Sequence, residues 1–470
     1  MADSAQNAPG TAPDSSAEPT ITTAQRRRAA TAAALASSVE WYDYFVFGIA
    51  AALVFGKTFF PTTNAAAGVL ASFATFAVGF LARPIGGIIA GSLGDKHGRK
   101  PVLVMAIALM GAATTLIGLL PTYESIGIAA PILLVLLRLV QGVAVGAQWG
   151  GAMLLATEYA PPGKRGLYGS LVQLGVPIGV VLANTVFLVA AQVAPPSDFL
   201  TWAWRIPFLV GILVLGLAWY MHVRIDETPE YRRAAAKLSA EERGRAKSPL
   251  REVLKNHKGT VLLAGGSFMV NTATFYILLN GVLDYATRHL GMSRTTVLVA
   301  TLLISTLQLA IIPLSAKLSD RIGRLKIYTF GAVGVALWAI PMFLLIDTAS
   351  LPLFVVASFV GSLFLGIMYG PQAALFAELF TAEMRYTGAS LGYQISAVVG
   401  GGLAPFIMVL LLESTGTSMS VSIYIIVLSL ISLGSIGLLA KRAKAARSTS
   451  DSESDPESAD RAQEAVGDQP

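Results

Sequence analysis

Apolar runs of about 20 residues recur along the 470-residue chain, and they limit the possible folds more than any other feature. A helix of roughly 20 residues crosses the hydrocarbon core of a bilayer. Lipid offers no hydrogen-bond partners to backbone polar groups, so such runs must be helical. Only 13% of the residues are charged, whereas soluble domains carry about 25%. The sequence therefore predicts an all-α membrane protein.

The apolar pattern predicts twelve transmembrane helices, here called spans 1 to 12. The first is expected to be retained and not cleaved as a signal peptide, because Glu40 and Asp43 interrupt its apolar run. The expected bounds are 29–55, 68–91, 101–121, 131–157, 166–193, 202–223, 259–285, 295–317, 326–347, 352–379, 386–412 and 419–440.

Polar segments divide these spans into two groups. Residues 1–24 and 441–470 have no apolar period, and we expect them to be disordered cytoplasmic tails. Residues 224–258 are dense in Lys, Arg and Glu, which predicts a cytoplasmic linker that carries an amphipathic helix. The N-terminal half, 25–223, and the C-terminal half, 259–440, then hold six spans each.

The distribution of positive charge predicts the orientation. Of the 34 Lys and Arg residues, 28 fall in the tails, the linker and the turns on one side of the predicted membrane. Positive charge concentrates on the cytoplasmic side of membrane proteins. We therefore expect a multi-pass protein of the cell membrane with both termini in the cytoplasm, which an even number of spans satisfies.

Two landmarks recur at nearly one offset. The stretch 91–100, G-S-L-G-D-K-H-G-R-K, has a weaker copy that begins 225 residues later, at 316–324. The seven-step spacing from Glu158 to Arg165 recurs 220 residues later, from Glu378 to Arg385. The repetition indicates a duplicated six-helix unit, and parallel repeats place a substrate site near the membrane midplane between the halves.

The stretch 91–100 matches the loop 2–3 signature of the major facilitator superfamily at every position. Further segments in spans 1, 2, 4, 6 and 11 resemble its metabolite:proton symporter family, and within it most resemble the shikimate transporters. These segments are 39–44, 82–87, 138–146, 204–208 and 385–402. The resemblance covers about residues 25–440 and implies two pseudo-symmetric six-helix bundles. One departure is Gln148, where the family commonly has a titratable Glu.

Glu40 and Asp43 are the candidate proton-coupling residues. They lie three residues apart in span 1 and so share a helix face. Ionisable groups within a membrane are costly and usually face a cavity or a partner. A carboxylate that leaves water for a low-dielectric site also binds a proton more readily. We favour Asp43, and the alternative is a structural ion pair with an arginine of span 2, 4 or 6.

Arg138 is the leading candidate for substrate binding, because its guanidinium stays charged and offers a bidentate fork to carboxylates. Its alternative role is to pair with Glu40 or Asp43. The other candidates are polar or aromatic side chains inside spans, each of which could instead make an interhelical hydrogen bond. They are Tyr42, Arg83, Gln141, Gln148, Trp149, Asn271, Tyr393 and Gln394.

The loop 2–3 stretch and its copy predict a conformational latch that holds the outward-open state. Asp95 can accept a hydrogen bond from Arg99 or face the positive end of a helix in the other half. Asp320 and Arg324 would form the paired version. The alternative is a turn whose positive charge serves only topology. The latch residues are Gly91, Asp95, Gly98, Arg99, Glu158, Asp320 and Arg324.

We therefore expect a non-enzymatic, proton-coupled symporter that imports a small organic anion by alternating access. Open alternatives are an efflux antiporter, an importer of a zwitterion such as betaine or proline, and a non-transporting membrane sensor. The chain has no cysteine and no phosphate-binding loop, so thiolate metal sites and ATP drive are not predicted. We expect no metal, cofactor or nucleic-acid partner, and a monomer in the bilayer.

Overall fold

The computed structural model describes residues 22–61, 65–227, 249–381 and 384–453, and the regular structure within them is helical throughout. Twelve helices in this described part are long and apolar enough to cross a membrane. They are Thr23–Thr58, Ala74–Gly94, Arg99–Leu119, Ala129–Glu158, Arg165–Ala190, Ala203–Arg224, Lys258–Leu279, Leu302–Ile322, Arg324–Ile346, Leu351–Glu378, Arg385–Thr415 and Met419–Arg442. The predicted number and order of spans are therefore confirmed.

Several spans are longer than their apolar cores or are interrupted. Spans 2, 8 and 12 belong to the helices Ala65–His97, Arg294–Ile322 and Met419–Glu453. Span 5 consists of Arg165–Gln173 and Gly175–Val193, and span 6 of Ala203–Arg205, Ile206–Leu209 and Gly211–Arg224. The π-helical segments Ala51–Phe55, Ile277–Gly281 and Ala397–Leu403 lie within spans 1, 7 and 11 and precede Gly56–Thr58, Val282–Arg288 and Ala404–Thr415. The short helices Tyr123–Ile126 and Pro196–Phe199 lie in the connections that follow spans 3 and 5.

The spans pack as two six-helix bundles. Span 4 packs on spans 2 and 3 in the first bundle, and span 10 packs on spans 8 and 9 in the second. Between the bundles, span 2 contacts span 11, and span 5 contacts spans 8 and 10. The leucines with the largest exposed fractions lie on the outside, as expected of a surface that faces lipid. A cavity on the axis between the bundles is consequently lined by both halves.

The two copies of the loop signature form the same turn. Gly98 begins span 3 at φ 108°, and Gly323 begins span 9 at φ 107°. A side chain at this φ would strain the backbone, whereas glycine adopts it readily. The glycine positions thus serve the conformation of the turn, which positive charge alone would not require.

The ends and the linker differ in detail from the sequence interpretation. The first helix begins at Thr23, because Thr22 and Gln25 form a capping box. The last helix continues to Glu453, past the expected limit of 440, through an Ala-, Lys- and Arg-rich segment of high helix propensity. In the linker, Pro249–Asn256 is helical and packs against spans 2 and 11. Residues 1–21, 228–248 and 454–470, which include most of the predicted tails and linker, lie outside the described residues.

Candidate functional site

Asp43 lies at the centre of a buried polar cluster that joins spans 1, 3 and 4. Its carboxylate accepts a hydrogen bond from the Thr114 hydroxyl and another, at 2.6 Å, from Gln141 Nε2. Arg138 Nη1 lies 3.7 Å from Asp43 Oδ2 and donates to Gln141 Oε1 at 3.1 Å. The Arg138 guanidinium also lies 4.1 Å from the ring centroid of Phe47. Asp43 and Arg138 therefore form a loose ion pair that neutral groups hold in place.

Glu40 lies one helical turn from Asp43 and is only 1% exposed. Neither of its carboxylate oxygens has a hydrogen-bond partner within the described residues. Arg83 of span 2, which is 4% exposed, is the cation that acts on it, and its guanidinium lies 4.6 Å from the Phe80 ring centroid. A buried carboxylate without a partner is costly, so Glu40 is either protonated or reserved for a ligand.

A cavity of about 60 Å³ lies between the halves. Pockets that hold small molecules usually measure about 300–1,000 Å³, so this cavity is contracted. Arg83 is its only lining residue that carries a formal charge among the described residues. The lining consists of Trp41, Arg83, Val176, Pro177 and Val180 from the first half, and Phe268, Asn271, Thr272, Phe275, Tyr276, Ser305, Gln308, Ile312, Leu365, Gly366, Tyr369, Tyr393 and Ala397 from the second.

Four stacked aromatic rings run along one side of this cavity and cross between the halves. Trp149 stacks on Tyr393 with ring centroids 4.1 Å apart, and Tyr393 stacks on Phe268 at 5.6 Å. Phe268 in turn stacks on Tyr369 at 5.8 Å. The rings come from spans 4, 11, 7 and 10, so a rearrangement of either half must change this stack.

The structure distributes the predicted binding residues over three places. Arg83, Asn271 and Tyr393 line the cavity, and Arg138 and Gln141 belong to the Asp43 cluster. The others bond to the protein elsewhere. Gln148 donates to the Ala36 carbonyl, Gln394 Nε2 donates to the Gly146 carbonyl at 3.4 Å, Trp149 Nε1 donates to Gln173 Oε1 at 3.3 Å, and Tyr42 donates to the Pro207 carbonyl at 2.7 Å.

Tyr42 differs most from its expected place, because it faces away from the cavity and toward span 6. Its neighbour Trp41 lines the cavity instead, since one residue along a helix turns the side chain by about 100°. Gln308 of span 8 is a further lining residue that the sequence analysis did not select. Its signal is an amide inside an apolar run, and its Oε1 has no partner in the described residues.

The latch residues lie at one end of the bundles and connect the two halves. Glu158 of span 4 pairs with Arg99 of the same half and lies 3.4 Å from Arg385 Nη1 of the other half. All three side chains are largely buried, so the shared carboxylate holds two cations in a low-dielectric setting. The backbone of Gly91 approaches Thr387 of span 11, and the side chain of Asp95 lies outside the described part of the structure.

The second-half latch residues reach the first half through a helix end. Asp320 accepts hydrogen bonds from the backbone N–H groups of Gly166, at 2.8 Å, and Leu167, at 3.0 Å. These groups open span 5, where the helix dipole favours a negative charge. Arg324 holds the carboxylate at 3.3 Å and also pairs with Glu378. Asp320 thus makes the contact that the sequence analysis expected of Asp95.

The other hydrogen bonds between the halves lie on the same side of the cavity. Gln173 of span 5 donates to the Gln372 side chain of span 10. The Tyr386 hydroxyl of span 11 donates to the Ala147 carbonyl of span 4 at 2.6 Å. Together with the latch residues, these bonds close the path from the cavity to the latch end.

Comparisons with known proteins agree with this architecture. Residues 29–261 match the "Sugar (and other) transporter" family profile, and residues 266–467 match that of the Major Facilitator Superfamily. The shikimate transporter of Escherichia coli (strain K12) is 40% identical over 88% of this chain and 94% of its own length. The proline/betaine transporter of the same strain is 33% identical over 87% and 82%.

A solved structure shows the same fold at lower identity. The proton:xylose symporter XylE bound to 6-bromo-6-deoxy-D-glucose superposes with a TM-score of 0.70 at 17% identity. The match covers 89% of this chain and 96% of that one.

Proposed function

The chain belongs to the major facilitator superfamily of transporters, and we propose that it imports a small organic anion of the shikimate type together with protons. The observation that supports this most is the buried pair of Asp43 and Arg138 beside a cavity shared by the two halves. A proton site and a substrate site this close can be coupled, because each changes the charge that the other experiences.

The loose geometry of this pair suits proton coupling. Arg138 lies 3.7 Å from Asp43, so the ion pair lacks a short direct hydrogen bond. When Asp43 takes up a proton, Arg138 loses its anionic partner and its field becomes available to an anionic ligand. Because the pair is buried, that change in charge is only weakly screened. Protonation of Asp43 therefore favours substrate entry in this proposal.

Arg83 is the side chain we expect to hold the substrate carboxylate. It is the charged residue of the described cavity lining, and a guanidinium binds a carboxylate through two parallel hydrogen bonds. Asn271, Gln308 and Ser305 lie in the same lining and can bind hydroxyl groups. The aromatic walls cover the faces of a small ring. A hydroxylated cyclic acid fits this combination of one cation, several amides and flat apolar walls.

A second candidate substrate is a zwitterion such as betaine or proline. The lining places Trp41, Tyr276 and Phe268 around the cavity, and aromatic faces attract quaternary ammonium groups. Glu40 adds a buried carboxylate without a hydrogen-bond partner in the described residues. Relatives named as proline/betaine transporters give this alternative further support.

Proteoliposome uptake distinguishes these candidates. Purified full-length protein would be given radiolabelled shikimate or labelled glycine betaine, with the medium more acidic than the lumen. We expect shikimate to accumulate, and accumulation to stop when an ionophore collapses the pH gradient. Betaine accumulation would favour the zwitterion, and gradient-driven export would favour an antiporter. Transport of neither compound would favour the sensor.

A variant pair tests the role of Asp43 in the same vesicles. Asp43→Asn should abolish proton-driven accumulation while shikimate exchange across the vesicle membrane continues. The control is Glu413→Gln, which removes an exposed carboxylate at the end of span 11. Full proton-driven accumulation by Asp43→Asn would exclude Asp43 as the coupling residue.

We also propose a monomer in the cell membrane with both termini in the cytoplasm, as the charge distribution indicates. The absence of native cysteine allows a direct test of orientation. In whole cells, an impermeant thiol reagent should label Lys57→Cys but not Thr22→Cys. The reverse labelling would invert the orientation.

A further inference from the structure

A second, larger groove lies on the outer side of the first half, apart from the transport cavity. Its volume is about 1010 Å³, and it runs between span 1, span 5 and span 6. Its floor is span 1, where Ala30, Ala34 and Ser38 recur every four residues and thus share one face. Small side chains at these positions leave room that larger ones would fill.

The groove is apolar along most of its length. The Ser38 hydroxyl bonds to the Ala34 carbonyl, and the Tyr42 hydroxyl bonds to the Pro207 carbonyl. Their polar atoms are therefore satisfied, and the remaining lining is mostly aliphatic. Leu182 and Leu213 on its walls are 45% and 69% exposed, so the groove opens toward the lipid.

One end of the groove is polar and positively charged. Arg27 lines it, together with the hydroxyl-bearing Thr23 and Thr31. Within the described residues, no ion pair or hydrogen bond involves the Arg27 guanidinium. Arg26 and Arg28 flank it in the chain, so this mouth attracts an anion.

The length of the groove suits a hydrocarbon chain. From Arg27 to Tyr42, span 1 rises about 22 Å, at roughly 1.5 Å per residue. One leaflet supplies about half of the roughly 30 Å hydrocarbon core. A ligand with an anionic head at Arg27 and an extended acyl chain along the floor would match both the charge gradient and this length.

We propose that this groove is a binding site for an anionic phospholipid, with the phosphate at Arg27 and one acyl chain over Ala34 and Ser38. Burial of the chain supplies most of the affinity, and the charge at Arg27 supplies the preference for an anionic headgroup. The lipid contacts spans 1 and 5, which also provide the Asp43 cluster and the helix end held by Asp320. The site does not depend on which substrate the protein transports.

Native mass spectrometry of the purified full-length protein tests this site, with phosphatidylglycerol as the anionic probe and phosphatidylcholine as the comparison. We expect Arg27→Gln to weaken phosphatidylglycerol binding about five-fold, the effect of one cation near a lipid surface. It should leave phosphatidylcholine binding unchanged. The control Lys326→Gln removes an exposed cation in the other half and should change neither.

A second variant tests the acyl chain. Ala34→Phe fills the floor and should weaken the binding of both lipids. Equal phosphatidylglycerol binding by wild type and Arg27→Gln would overturn the headgroup assignment, and unchanged binding by Ala34→Phe would overturn the groove assignment.

A quenching measurement provides a test if Ala34→Phe does not fold. A fluorophore on Leu182→Cys, at the groove wall, is compared with one on Leu337→Cys, which is 74% exposed on the outside of the other half. Phosphatidylglycerol with brominated acyl chains should quench the first label more than brominated phosphatidylcholine does, and the two lipids should quench the second equally. No lipid preference at Leu182 would overturn the proposal.

Discussion

Trp149 of span 4 lies flat on Tyr393 of span 11, with ring centroids 4.1 Å apart and ring planes 10° from parallel. The two rings belong to opposite halves, and only Tyr393 lines the cavity. Trp149 lies behind it and donates to Gln173 of span 5. The contact therefore connects the wall of the cavity with the interface between the halves.

Loss of this stack should impair transport. Stacking adds about 0.5–1.5 kcal/mol, and the indole hydrogen bond about 1 kcal/mol. We expect Trp149→Ala to lower the initial uptake rate at least about tenfold, which corresponds to roughly 1.4 kcal/mol. The control Trp219→Ala removes an indole that is 71% exposed and should transport normally. Normal uptake by Trp149→Ala would show that the stack is dispensable.

The ion pair of Asp43 and Arg138 should have separable structural and transport roles. Arg138→Gln leaves Asp43 buried without its cation, which costs about 3–5 kcal/mol when one partner of a buried pair is removed. The double variant Asp43→Asn/Arg138→Gln has no uncompensated charge in this pair. Thermal unfolding in detergent should show that stability returns in the double variant, whereas uptake should not. If uptake also returned, the pair would have only a structural role.

The carboxylate of Glu158 should hold the latch end closed. Glu158→Gln weakens its bonds to both Arg99 and Arg385, one in each half. We expect a single cysteine at Ala397, in the cavity lining, to react several-fold faster with a thiol reagent in this variant. The coupling between Glu158 and Arg385, from a double-variant cycle, should be about 0.5–3 kcal/mol. Additive effects on labelling would mean that the two residues act independently.

Close packing of spans 2 and 4 should make Gly146 intolerant of a side chain. A Cβ there would overlap the backbone carbonyl of Arg83. Forcing the helices apart costs about 1–3 kcal/mol by analogy with overpacked cores. We expect Gly146→Ala to lower the thermal unfolding temperature in detergent. Gly434→Ala is the matched control, because a Cβ at Gly434 has no neighbour within 4 Å. Equal stability of the two variants would contradict the prediction.

Two tyrosine hydroxyls should separate stability from substrate affinity. Tyr42 donates to the Pro207 carbonyl outside the cavity, so Tyr42→Phe should lower stability by about 1 kcal/mol and leave the KM for shikimate unchanged. Tyr276 lines the cavity, so Tyr276→Phe should raise the KM. Uptake rates over a range of substrate concentrations test both. A raised KM in Tyr42→Phe would return Tyr42 to the binding site.

The fold could be predicted from the sequence because lipid permits few alternatives. An apolar run long enough to span the membrane must be helical, and the repeated loop signature divided the chain into two halves. Gly98 and Gly323 show why that repeat is informative, because both adopt the same positive φ. The extension of the last helix to Glu453 was not predicted, since a polar segment can be helical without any apolar pattern.

The candidate site was harder to predict because span 1 has no exposed face near its acidic residues. The five residues Glu40, Trp41, Tyr42, Asp43 and Tyr44 are all buried, so burial shows no period from which to find the side that faces the cavity. Sequence reasoning therefore placed both carboxylates inside the membrane but selected Tyr42 where the cavity has Trp41.

Amide side chains posed a second difficulty. Gln148, Gln308 and Asn271 all lie inside apolar spans, and composition does not distinguish an amide in a cavity from one bonded to a neighbouring backbone. In the structure Gln148 bonds to the Ala36 carbonyl, whereas Gln308 and Asn271 line the cavity while each also donates to a backbone carbonyl. Only the packing of neighbouring helices decides between these outcomes.

The π-helical turns of spans 1 and 7 bear on the history of the chain. Ala51–Phe55 and Ile277–Gly281 begin 226 residues apart, close to the offset of the loop signatures. A π turn accommodates one residue more than the α-helix around it. One insertion in an ancestral six-helix protein supplies both turns, whereas separate insertions would have to occur twice at the same level. The extra residue is therefore older than the duplication, and the ancestral half already had this irregular helix.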